Sequence, residues 1–124
     1  MTIVAADSDF DAFLRHNASE SGFKHVVVTR GNHIAGVVRV NTSLRRGVEQ
    51  AYSGVHFGDV AQRKFTIARE ADIMFDVVQR MARHDAGMAV VVKDEGRGRP
   101  SEIRGVISKE HIADSIAENI KPFG

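Results

Sequence analysis

Most of the first third of the chain is written a second time further on, and that duplication limits the possible folds more than any other feature of the sequence. Displaced by 64 positions, Thr2-Ile3 falls on Thr66-Ile67, and Phe10, Phe13 and Leu14 fall on Met74, Val77 and Val78. The same displacement puts Val26-Val27-Val28 on Val90-Val91-Val92. Beyond the valines it grows to 69, so that Ile34, Gly36, Val37 and Val38 fall on Ile103, Gly105, Val106 and Ile107. The five additional residues lie in Asp94-Glu95-Gly96-Arg97-Gly98-Arg99-Pro100, which reads as a hairpin loop, where insertions belong. One apolar residue matching another means little. The same order of segments, interrupted only in a Gly/Pro loop, marks a repeat.

Each copy reads as strand, helix, strand, strand, helix. In the first, a short strand from Thr2 leads to Asp7 or Ser8 as helix cap, and Ser8 and Asp11 have capping-box spacing. Phe10, Phe13 and Leu14 then form an inward stripe with helical period. His25 to Thr29 is rich in β-branched residues and ends at the turn Arg30-Gly31-Asn32, with a return strand from Ile34 to Val40. Leu44, Val48 and Ala51 stripe a second helix. In the second copy Met74, Val77, Val78 and Met81 form the helix face, Met88 to Val92 and Ile103 to Ile107 the strands. Ile112, Ile116 and Ile120 line a last helix, which Pro122 stops.

The valine runs are apolar on both strand faces, so both faces must be covered. Helices cover one; the partner repeat is expected on the other, because a half of about 60 residues buries too little surface to stand alone. A short linker, residues 53–57, joins the halves, giving a first repeat over residues 1–54 and a second over 55–124. The expected fold is α+β, two β-α-β-β-α repeats packed together.

Among its 124 residues the chain has no cysteine, which removes disulfides, thiolate metal sites and cysteine nucleophiles. The net charge of +1 marks no general nucleic-acid or membrane-surface binder. No apolar run approaches the ~20 residues of a membrane span, and the N-terminus lacks signal-peptide character. If a membrane protein carries this module, the spans lie outside these residues. The six histidines show no metal-ligand spacing such as HExxH, and no G-x-S-x-G elbow exists. Ser108 and His111, three residues apart, are a common helix spacing rather than a catalytic pair. Gly96-Arg97-Gly98 is a lone GxG, not a phosphate loop, and the basic tip Arg97-Gly98-Arg99-Pro100 lacks the interleaved aromatics of single-strand binders. Neither an enzyme nor a nucleic-acid binder is expected, and no metal site.

The run Ile103-Arg104-Gly105-Val106-Ile107-Ser108-Lys109-Glu110-His111-Ile112 resembles the end of a CBS motif: Gly, two apolar residues, Thr or Ser, two variable residues, then Asp. His84-Asp85-Ala86-Gly87-Met88-Ala89-Val90-Val91-Val92 is similar to the motif's central strand and its lead-in. The resemblance covers the second half well and the first more loosely. Residues 105–115 also look like the tail of bacterial ClC-type chloride channels and transporters. The resemblance implies a regulatory tandem pair, its repeats related by a pseudo-two-fold, with no obligatory cofactor. AMP, ADP, ATP or S-adenosylmethionine would be its candidate ligands. It also implies a homodimer and a transmembrane channel or transporter domain on the same longer chain, at the cytosolic face of the inner membrane. A ligand-free dimerisation module and a free-standing CBS sensor are the alternatives.

Carried over residue by residue, the resemblance makes Ser108 the Ser/Thr position and sets His111 where Asp is expected. Thr66 and Ile67 match the strand before the helix, and Ala86, Gly87 and Met88 the central lead-in. In the first copy Arg39 stands at the Ser/Thr position and Thr42 at the Asp position, so a carboxylate that accepts from two ribose hydroxyls at once is missing from both. Each residue also has a plainer reading. Ser108 would N-cap the helix it opens, His111 and Arg39 would be surface polar residues, Thr66 a β-branched strand residue, and Met74, Met81 and Met88 core packing.

Overall fold

The computed structural model describes residues 2–16, 23–41 and 53–110. The expected helices at residues 44–51 and 112–120 lie outside the described residues, as do Thr42 and His111. The chain divides into two units, residues 1–63 with 98–101, and residues 64–97 with 102–124.

The first unit holds β1 (Thr2–Ala5), α1 (Phe10–His16), β2 (Phe23–Arg30), β3 (His33–Asn41) and a one-turn helix α2 (Phe57–Val60). The sheet order is β1-β2-β3, β1 parallel and β3 antiparallel to β2. Gly31, at φ 62°, makes the tight β2–β3 turn, a conformation that costs a Cβ-bearing residue energy. The α1 cap is Asp9 rather than Asp7 or Ser8: its Oδ1 accepts the N–H groups of Asp11 at 3.0 Å and Ala12 at 3.3 Å. Phe10 and Leu14 turn inward onto Val26, Val28, Val38 and Val40, and Phe13 packs against their edge. Alternation puts Val27 and Val37 on the opposite face, and both are fully buried too.

Residues 55–63, which the sequence reading divided between linker and second repeat, pack on the first sheet. Phe57 is fully buried, its ring edge-on to Phe10 and Phe13 at centroid distances of 5.1 and 5.2 Å. Phe57 N–H donates to the Ser8 carbonyl and Gly58 N–H to that of Ala6. Gln62 then lies along the outer edge of β3, exchanging two backbone hydrogen bonds with Val37 at 2.8 and 3.1 Å.

The second unit repeats the plan with β4 (Phe65–Arg69), α3 (Met74–Arg83), β5 (Met88–Val92) and β6 (Ile103–Ser108). Its sheet order is β4-β5-β6, again parallel then antiparallel. The duplication extends to a register shift in each hairpin. Val28 pairs with Gly36 just before one, and Val91 pairs with Gly105 just before the other. Val28 therefore corresponds to Val91, a displacement of 63 (91 − 28) where the sequence comparison has 64, and the second hairpin is longer by six residues (69 − 63). Two valine triplets slide past each other by one residue with little loss of sequence agreement, but a slip flips every side chain to the other face.

The helix face also needs correction. Val77 and Met81 are buried against Ala68, Ala86 and Ala89, but Met74 is 49% exposed and its neighbours Ile73 and Phe75 68% and 67%. Met74 and Phe10 open their helices at corresponding positions, but Phe10 is buried against Phe57 while Met74 stays outside the second unit's core cluster.

The longer β5–β6 loop has its own fastening. The Arg69 guanidinium Nη1 donates to the carbonyls of Lys93, Asp94 and Gly96 at 3.2, 2.8 and 2.7 Å. Asp94 Oδ1 accepts Ala71 N–H at 2.8 Å, and buried Glu102 accepts Arg97 N–H. The first repeat has Ala5 where the second has Arg69, and its two-residue turn needs no such latch. Between β4 and α3, Asp72 accepts Arg69 N–H at 2.9 Å and lies 3.3 Å from Arg80, whose Nη1 also donates to the Ile67 carbonyl at 2.6 Å. The Arg69 N–H bond first, and then Arg80, hold the Asp72 carboxyl below its usual range. A depressed carboxylate pKa stabilises the fold above the unfolded value and loses that contribution as pH falls through the folded value. Urea midpoints of the parent are therefore expected to fall as pH drops below about 4, and those of Asp72→Asn to fall less. Parallel curves for the two proteins would assign the acid sensitivity to other carboxylates.

Candidate functional site

Register and alternation decide which sequence-selected residues meet. Phe65, Met88 and Ser108 lie side by side across the second sheet, and Ile67, Val90 and Val106 form the next row on the same face. Ile67, Met88 and Ser108 therefore share one face, at the end where β4 and β5 begin and β6 finishes. This face points away from α3. Met88 and Ser108 are buried, Ser108 to 1% exposure. Gly87 sits at the mouth of this corner, its carbonyl accepting Lys109 N–H at 3.0 Å.

Thr66 and Ala86 belong to the other side. Thr66 shares a row with Ala89 and Ile107, the row that faces α3, and Ala86 is fully buried beside Val77 and Met81. Their side chains support the sheet from behind. Arg39 lies in the first unit, paired across β2–β3 with His25 as Ser108 is with Met88. It occupies the place in the first repeat that Ser108 has in the second, but it is exposed where Ser108 is buried.

The chemistry available is that of a binding surface. The Ser108 hydroxyl, one donor with two acceptor lone pairs, and the Met88 side chain are buried in this structure, and the partly exposed groups beside them are Ile67 and the Gly87 backbone. Sequence reasoning missed Phe65, which stands in the same row as Met88 and Ser108 and is half-buried. Its parity with Ile67 is the signal that finds it. It also missed Arg80, which ties α3 to the Ile67 carbonyl; an arginine two turns into a helix gives no such sign. Among the described residues, no three His, Asp or Glu side chains are grouped to hold a metal ion, and no helix is long and apolar enough to cross a membrane.

Two three-stranded sheets of identical topology, each with a helix returning between its parallel strands, define a tandem α+β repeat protein. The CBS domain model matches residues 57–118, and the chain belongs to the CBS domain family. Solved structures agree in fold. A CBS domain of the bacterial CNNM/CorC family Mg2+ transporter superposes with a TM-score of 0.68 at 18% identity, over 97% of this chain and 70% of that one. A CBS domain of the same transporter family in complex with ATP gives 0.63 at 19% identity, over 94% and 79%. A hemolysin-like protein containing a CBS domain, from Oenococcus oeni PSU, gives 0.63 at 19% identity, over 92% and 79%. No curated protein sequence matches the chain.

Proposed function

We propose that the chain is a regulatory CBS pair that binds an adenine nucleotide at the Ser108 corner of its second sheet without turning it over. It passes occupancy to a membrane transport domain on the same longer polypeptide. The observation that carries this reading is the convergence of Ile67, Met88, Ser108 and the Gly87 backbone on one end of one sheet face. The resemblance to the CBS motif implies that these positions would meet its ligand. Two relatives of this fold are complexes with ATP: the CNNM/CorC domain above and the cytosolic domain of the Mg2+ channel MgtE. Both come from membrane transport proteins, which favours a position at the cytosolic face of the membrane. The likeness of residues 105–115 to ClC tails favours chloride as the transported ion, whereas the named structural relatives serve Mg2+. The sequence preceding residue 1 in the native gene decides between them.

A ligand that binds only the native state raises its melting temperature by mass action. AMP, ADP, ATP and S-adenosylmethionine at millimolar concentration are expected to include at least one that raises the midpoint, with no phosphate release. A flat screen favours the second reading, a ligand-free homodimerisation module. Thr42 and His111 favour that reading because they leave both copies without the motif's carboxylate. Sedimentation at micromolar concentration tests it directly, since it requires a dimer.

A further inference from the structure

One arginine of α3 reaches main chain whose side chain lies on the face opposite that helix. Arg80 Nη1 donates to the Ile67 carbonyl at 2.6 Å and lies 3.3 Å from Asp72 Oδ2. An Nη group has two hydrogens, one for each acceptor, and both side chains are largely covered. Ile67 belongs to β4, an outer strand of its sheet, and its side chain shares the Ser108 face, which points away from α3. The helix packs on the other face through Val77 and Met81. Through one carbonyl, a helix behind the sheet holds a residue that lines the front.

The fold does not require this strut. Displaced by 64, Arg80 corresponds to His16, Asp72 to Ser8 and Arg69 to Ala5. The turn recurs without them: Ser8 N–H donates to the Ala5 carbonyl at 3.0 Å, as Asp72 N–H does to the Arg69 carbonyl at 3.0 Å. His16 is exposed, and a ring nitrogen has at most one hydrogen, so it cannot serve two acceptors as Nη1 does. The strap, residues 61–62, lies along β3, at the opposite edge of the first sheet from β1. The first repeat is also the one in which exposed Arg39 stands in the place of Ser108. Strut and motif serine therefore occur together, in the second repeat.

We propose that Arg80 is a positioning residue of the Ser108 corner: through the Ile67 carbonyl it sets how Ile67 stands on the binding face, and so how tightly adenosine is held. This role rests on the nucleotide reading above. Arg80 acts through the main chain of Ile67 and not on the ligand itself.

Calorimetric titration of adenosine into the whole chain tests it, with three variants beside the parent. Arg80→Met keeps the apolar stem, loses the donor, and is expected to bind about tenfold more weakly, within the range for residues that act on a site they do not touch. Arg80→Gln, whose amide is too short to span the same gap, is expected to lose as much and serves in its place should Arg80→Met not fold. Arg69→Met is the stability control. It removes the three hydrogen bonds that Arg69 gives to the β5–β6 loop, from the far end of the same strand. Its urea midpoint is expected to fall while its adenosine affinity stays within about twofold of the parent, as for a site with no shared partners at the corner. If the parent binds adenosine and the Arg80 variants bind as tightly, or if Arg69→Met loses as much as they do, the positioning role is wrong and the nucleotide reading stands. If the parent binds no adenosine, both are wrong.

Discussion

Replacing Phe57 with alanine is expected to destabilise the first unit by about 3–5 kcal/mol, the range for removing a fully buried phenylalanine. The ring is 0% exposed and stands perpendicular to both Phe10 and Phe13, at interplanar angles of 82° and 86°, the edge-to-face geometry aromatic pairs prefer. Its loss leaves a cavity that Phe10 and Phe13 border and cannot fill, since α1 and β2 hold them in place. Phe57→Leu keeps most of the volume and should lose less than half as much. Because the chain has two units, urea curves should be followed with probes in each. A loss below about 1 kcal/mol would mean that residues 55–60 do not belong to this core.

Gly36→Ala and Gly105→Ala, the same substitution at corresponding positions, are expected to give opposite outcomes. At Gly36 the new methyl enters the space of the Gln62 carbonyl and the Ala61 methyl. Both belong to the strap rather than to a flexible side-chain tip, so either the strap shifts and its two hydrogen bonds to Val37 lengthen, or the β3 edge distorts. Overpacking of this kind costs about 1–3 kcal/mol. At Gly105 the methyl meets none of the described residues, and alanine restricts the unfolded chain more than glycine does. That substitution is therefore expected to be neutral or stabilising by up to about 1 kcal/mol. Chemical denaturation of the two variants beside the parent checks the contrast. Equal losses would show that the glycines answer a demand of the hairpins rather than of the strap.

The elements legible in the sequence were those with a periodic signal. β5 runs from Met88 to Val92 as the valine-rich run indicates, and β6 begins at Ile103. The duplication foretold two sheets of one topology because the apolar segments recur in the same order. What stayed illegible depended on contacts remote in sequence. A valine triplet has no internal landmark, so its register needed the glycines of the facing strand. Phe57 reads as a lone aromatic in a linker, and nothing local says that it completes the core of the preceding repeat. Met74 and Phe75 look like core residues by composition, but Val77 and Met81 make the α3 side of the core and leave them outside. At the site, membership of the motif picked out a neighbourhood without distinguishing its faces. Counting by twos along β6 puts Ser108 and Val106 on one face and Ile107 on the other, but only the register of the pairing places Thr66 with Ile107.

The central claim, an adenosine-binding corner at Ser108, is tested most directly by calorimetric titration of adenosine into the parent, Ser108→Ala and His111→Asp. Adenosine has the ribose without phosphates, so a new carboxylate at position 111 acts on the hydroxyls alone. A neutral imidazole offers at most one acceptor nitrogen where a carboxylate accepts from both hydroxyls. Hydrogen bonds to charged groups contribute about 1.5–3 kcal/mol, so His111→Asp is expected to tighten adenosine binding by about tenfold or more. Ser108→Ala is expected to weaken it. Heats indistinguishable from dilution in all three proteins, or His111→Asp binding no better than the parent while Ser108→Ala binds as well, would contradict the account.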